Sequence, residues 1–168
     1  EGLGQFKWPT GMAADQNGNV YVSDELNNRI NVFSHEGEPI KNWGTFGSNE
    51  GELNGPSGIV FDKYDDIYVA DQLNNRIQKF TKDGNFIMSF GDTGTERLNM
   101  PWGIDVNDDG WVFVADWAND RIVKYEPNGS FSQTFGSSGS GDGQIVNPSG
   151  VAVDKEGYIY ITDWGNER

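Results

Sequence analysis

Four times the chain places an aspartate, an asparagine and an arginine at the same spacing: Asp24, Asn27 and Arg29; Asp71, Asn74 and Arg76; Asp116, Asn119 and Arg121; Asp163, Asn166 and Arg168. A carboxylate with a guanidinium five residues on has the parts for acid–base or anion-binding chemistry. The repetition argues against that use. A reaction centre is needed once per molecule, whereas a turn that holds each unit together must be written in every unit. Asp and Asn side chains accept hydrogen bonds from nearby backbone N–H groups at turns. An arginine can pair with the aspartate while donating to carbonyls. These twelve residues therefore read as a structural turn brace rather than a catalytic constellation.

The elements that must position them follow from the same arithmetic. Pro9, Pro56, Pro101 and Pro148 open the units at steps of 47, 45 and 47 residues, and each proline lies 15 residues before its bracing aspartate. All variation in length falls in the connections Gly44 to Pro56, Gly91 to Pro101 and Gly136 to Pro148. A fixed framework with variable connections is the pattern of packed strands and exposed loops. Each unit predicts four short strands. The first ("GMAA", "GIVF", "GIDV", "GVAV") is nearly all apolar and is expected to be buried on both faces. The second ("VYVSD", "IYVAD", "VFVAD", "IYITD") is rich in β-branched and aromatic residues. The third ("RINVF", "RIQKF", "RIVKY") alternates as a strand nearer solvent should, and a hairpin through Gly37, Gly84 or Gly129 gives the fourth. Four-stranded units at this period predict an all-β chain, a β-propeller of antiparallel blades. The units are 9–55, 56–100, 101–147 and an incomplete 148–168, within a single propeller portion 1–168.

The segment "PSGIVFDKYDDIYVADQLNNRIQKFTKDGNFIMSFG" resembles the NHL repeat nearly end to end, and the resemblance covers essentially the whole chain. It implies a propeller, typically six-bladed, in members that usually serve as binding platforms. A minority of relatives are enzymes, amidating lyases and lactonase-like hydrolases. The lyases hold a zinc with several histidines, whereas His35 is the sole histidine here and falls in an outer hairpin. The lactonase-like relatives use acidic channel ligands. The residues after the prolines here are Thr10, Ser57, Trp102 and Ser149. No cofactor is expected, and zinc or calcium enters only under an enzyme alternative whose ligands lie outside this stretch. The turns containing Asp15, Asp62 and Asp154 lack the further carboxylates of a calcium cage and read as Asp-capped hairpins. Asp105 is the one acid within an inner strand, where a carboxylate needs a partner.

Composition narrows the partners. With 26 acidic and 12 basic residues the formal charge is −14, which repels phosphate backbones and makes nucleic acid an unfavourable partner. No apolar run is long enough to span a membrane. There is no cysteine, so disulfides and thiolate metal sites are excluded. No signal peptide is expected from the residues before the first unit, yet the acidic, glycine-rich composition leans toward an extracellular or envelope setting. Asn128 opens a glycosylation sequon on a hairpin. Glu1 at the start and the half unit at the end suggest an excerpt of a longer chain. Other copies of the chain, or its remaining part, are then expected to complete the ring.

In a propeller the second-to-third-strand loops and the inter-blade connections emerge on one rim. That rim carries the residues that differ between units: Trp8, Glu25, Gln72, Trp102, Trp117 and Trp164. Large aromatics there suit the anchoring of a peptide or sugar. The expected function is a binding or assembly module for a protein or glycan partner.

Overall fold

Alternation along the second strand of each unit sets the architecture. In the computed structural model, which describes residues 2–168, Ile67 and Val69 point to one side of their strand and Tyr68 and Ala70 to the other. Each pair enters a different apolar core, so the strand is buried on both faces. The strands are β1 (Pro9–Ala14), β2 (Val20–Asp24), β3 (Arg29–Phe33) and β4 (Pro39–Trp43); β5 (Pro56–Phe61), β6 (Asp66–Asp71), β7 (Arg76–Thr81) and β8 (Phe86–Phe90); β9 (Pro101–Val106), β10 (Val112–Asp116), β11 (Arg121–Tyr125) and β12 (Phe131–Phe135); and β13 (Pro148–Val153) and β14 (Ile159–Asp163). They form three four-stranded antiparallel sheets in chain order and one two-stranded sheet, β13–β14. The first strands β1, β5, β9 and β13 stand side by side in that order, as the inner edges of successive blades. No helix among the described residues is long and apolar enough to cross a membrane.

The cores lie between blades. Tyr21, Ile30, Val32, Ile59, Ile67, Val69 and Phe80 fill the space between the first and second. Tyr68, Ala70, Ile77, Phe90, Ile104, Val112, Val114 and Tyr125 fill the next, and Phe113, Ala115, Ile122 and Ile145 the third. Leu53, Leu98 and Ile145 reach these cores from the inter-blade connections, which pins the connections to the framework.

In the units flanked on both sides the first strands are less buried than the second: Ile59 and Val60 of β5 enter different cores, while β6 and β10 are buried almost throughout. One expectation is corrected. The third strands are not near solvent; β3, β7 and β11 are mostly buried, and the fourth strands β4 and β12 carry the exposed outer edge. The second and third strands lie in the middle of each four-stranded sheet, with a strand on either side of them.

The glycine after each proline has a packing reason. A Cβ on Gly58 would strike the carbonyl of Trp102, and one on Gly103 would lie 2.7 Å from the Gly150 Cα. The inner strands meet backbone to backbone, which only glycine permits.

Candidate functional site

The bracing residues meet at the turn after each second strand. Asn27 and Arg29 donate to Asp24 Oδ2 at 2.7 and 3.3 Å. The corresponding distances are 2.9 and 2.7 Å for Asn74 and Arg76 on Asp71, 2.8 and 2.7 Å for Asn119 and Arg121 on Asp116, and 2.8 and 2.9 Å for Asn166 and Arg168 on Asp163. The other carboxylate oxygen accepts a backbone N–H from the connection leading into the blade, from Lys7, Asn54, Asn99 and Val146 in turn. The guanidiniums donate to carbonyls of the same connections, as Arg76 does to Ser48, Asn49 and Glu52. All four aspartates are buried. Burial pushes the Asp24 carboxyl up, but donors from Asn27, Lys7, Trp8 and Arg29 outweigh it and hold it below the usual carboxylate range. Asp163 is lowered in the same way, with Val146, Asn166 and Arg168 as the donors.

Sequence reasoning missed a fourth position of the brace. Asn28, Asn75 and Asp120 adopt the left-handed backbone conformation, and each accepts the N–H of the residue before the next blade's proline: Gly55, Met100 and Asn147. The signal was available, since short Asn and Asp side chains tolerate positive φ and recur after the first asparagine. Gln78 was missed as well. It donates to Asp71 and to the Glu52 carbonyl, and it accepts from the Gly51 N–H.

The hairpin aspartates cap their turns. Asp15 accepts from the N–H groups of Asn17 and Asn19, Asp62 from Tyr64 and Asp66, and Asp154 from Tyr158. Asp62 also pairs with Lys79 at 2.8 Å. His35 is exposed beside Glu36, and Asn128 is exposed on its hairpin with Oδ1 accepting from the Ser130 N–H.

The rim residues divide into three groups. Trp8 and Glu25 lie together at the first blade, joined by the Glu25 N–H to the Trp8 carbonyl at 2.9 Å; Trp8 is exposed. Burial raises the Glu25 carboxyl above its ordinary range. Gln72 is corrected: at 3 % exposure it is part of the packed framework and offers no surface. Trp102, Trp117 and Trp164 converge. With Ser149 they line a concavity of about 470 Å³, in the size range of small-ligand sites. The rings of Trp102 and Trp117 are 6.3 Å apart at 45°, and Trp164 supplies a wall from the next blade. Both backbones are anchored, the Trp102 carbonyl by Ser57 and the Trp117 carbonyl by Asn147.

The cleft opens where the stitching between blades changes. Thr10 and Ser23 donate their hydroxyls to carbonyls of Pro56 and Ser57, and Ser57 donates to carbonyls of Pro101 and Trp102. At the third junction Trp102 and Ala115 occupy the equivalent positions and neither has a hydroxyl. The bond across that junction comes from Asp105 instead. Its Oδ2 accepts the Val153 N–H at 2.7 Å and its Oδ1 the Val106 N–H at 2.9 Å, at the end of β9 away from the rim.

The model of the NHL repeat matches residues 6–33, 53–80 and 98–125, the first three braces and the strands around them. The chain belongs to the NHL-repeat family. A further β-propeller repeat model matches 131–167. No curated protein sequence matches the chain significantly. Among solved structures, this NHL chain is similar to a streptogramin B lyase (18% identity, TM-score 0.73, covering 94% of this chain and 48% of that one). It is similar to a virginiamycin B lyase from Staphylococcus aureus (16%, 0.73, 96% and 51%). It is also similar to a chain of a nidogen/laminin complex (25%, 0.75, 92% and 56%). The NHL chain thus spans about half the length of these proteins. At such identities the lyases share the propeller fold with it and nothing finer.

Proposed function

We propose that this chain is a non-catalytic binding module that presents an acidic, tryptophan-bearing rim to a protein or glycan partner. The observation that carries the reading is the cleft of Trp102, Trp117 and Trp164, formed by residues that depart from the repeated framework while resting on it. The loops of this rim carry further exposed apolar side chains, Trp8, Leu26, Phe46 and Leu73. Apolar groups collected on one surface suit docking more than solvation. The similar chain of the nidogen/laminin complex supports a protein partner.

The test is a screen of peptide and glycan arrays with the wild-type chain and with Trp117→Ala and Trp164→Ala variants. Capture lost in both variants at an unchanged melting temperature is the expected result. Capture retained by both, or lost only with unfolding, would assign these indoles to the framework. Stoichiometric zinc or calcium in the purified protein would favour the enzyme alternative.

A further inference from the structure

The chemistry of the cleft narrows the partner, and the narrowing rests on the binding reading above. We infer that the Trp102–Trp117–Trp164 cleft receives an arginine side chain from a basic protein partner. Three of its four lining residues are indoles, whose faces are the most attractive of the aromatic side chains to a cation. Trp102 and Trp117 form a splayed pair, and Trp164 lines the cleft from the next blade. Ser149 is the one polar side chain in the lining, and its hydroxyl already pairs with that of Thr162 at 3.0 Å. A sugar entering this space would surrender water at several hydroxyls and find few replacements, at a cost for each group left unbonded. A guanidinium is planar and weakly hydrated, and it stacks on indole faces with little loss of hydrogen bonding.

Charge points the same way. The chain carries a formal −14, so a cationic partner is drawn to it from a distance. An adjoining concavity shares Ser149 and Trp164 with the cleft and is lined by the acidic side chains Asp163 and Glu167, with Arg168 held by Asp163 at 2.9 Å. The molecule already uses this chemistry internally, since Lys124 Nζ sits 4.0 Å from the Trp111 ring centroid.

The experiment follows the six indole N–H signals of the chain by NMR during titration with three capped tripeptides, identical except for a central arginine, lysine or citrulline. Citrulline keeps the shape of arginine without its charge. The arginine peptide is expected to move the Trp102, Trp117 and Trp164 signals to saturation, while Trp8, Trp43 and Trp111 stay in place. The citrulline peptide should bind about tenfold more weakly or worse. Trp117→Phe should weaken the response and Trp117→Ala abolish it; Trp164→Ala, at an exposed position, checks against misfolding. Equal affinity for citrulline, equal movement of all six signals, or no movement would overturn the inference. If a neutral oligosaccharide moves the same three signals while the arginine peptide does not, the cleft remains a binding site and the cationic anchor falls. If neither moves them, both readings fall.

Discussion

The second and third blade junctions share one backbone design and differ in where they are fastened. At the second, Ser57 reaches across at the rim end, with its hydroxyl on the carbonyls of Pro101 and Trp102. At the third, the aligned residue is Trp102, and Asp105 makes the crossing bond three residues further along the strand, to Val153. At the rim end of the third junction an indole thus stands where the second junction has a hydroxyl, and that indole lines the cleft. The lesson is that a repeated framework can carry a site where one side chain of a junction is exchanged, without remodelling the strands.

Removing a brace should set the upper end of the scale, because both junctions hang from these turns. Asp71→Ala leaves Arg76 buried without its carboxylate and should cost about 3–5 kcal/mol in chemical denaturation. A loss below about 1 kcal/mol would mean the carbonyl contacts of Arg76 suffice alone. Asp105→Ala tests the relocated bond itself. It leaves the Val153 N–H without its acceptor, and a loss of about 1–3 kcal/mol is expected, with faster amide exchange at Val153. Unchanged exchange there would show that the third junction does not depend on this bond. Ser57→Ala should cost less, about 1 kcal/mol, since carbonyls keep a second lone pair for other donors.

Acid should reveal the first and last braces. The Asp24 and Asp163 carboxyls are lowered in the folded chain, so their contribution is fully present above the unfolded carboxylate range near about pH 4 and is lost as pH falls through the folded values. Asp24→Asn should flatten the decline of the melting temperature in that acid window; an unchanged slope would assign the acid sensitivity elsewhere. The smallest effect belongs to Trp164→Ala. At 66 % exposure it should change stability by no more than about 0.5 kcal/mol while altering binding.

The blades were legible in the sequence because their spacing is strict. A period of 45 to 47 residues and an aspartate always 15 residues after a proline leave little freedom in how strands are cut. The joining of Asp24, Asn27 and Arg29 was legible for the same reason, being local. What escaped was long-range. Asp105 looks unsupported along its own strand because its partner lies 48 residues away on the next blade. Gln72 aligns with Glu25 and Trp117 yet is buried, and no neighbouring letter records that. The burial of β6 and β10 exceeds that of the inner strands, and both lie in the middle of their sheets with a strand on either side, a place that hydrophobicity alone does not record.

The arginine of each brace takes hold of main-chain oxygens in the segment that leads into its blade: Gly2 and Gln5; Ser48, Asn49 and Glu52; Ser140, Gly141 and Gln144. In the segment from Gly91 to Pro101 the arginine donates to the Arg97 carbonyl and also grips a side chain, Glu96, at 2.6 Å. An oxygen of the peptide group is the same whatever residue carries it. The rim can therefore drift in sequence, and acquire new specificities, while the clasp beneath it never has to be reinvented.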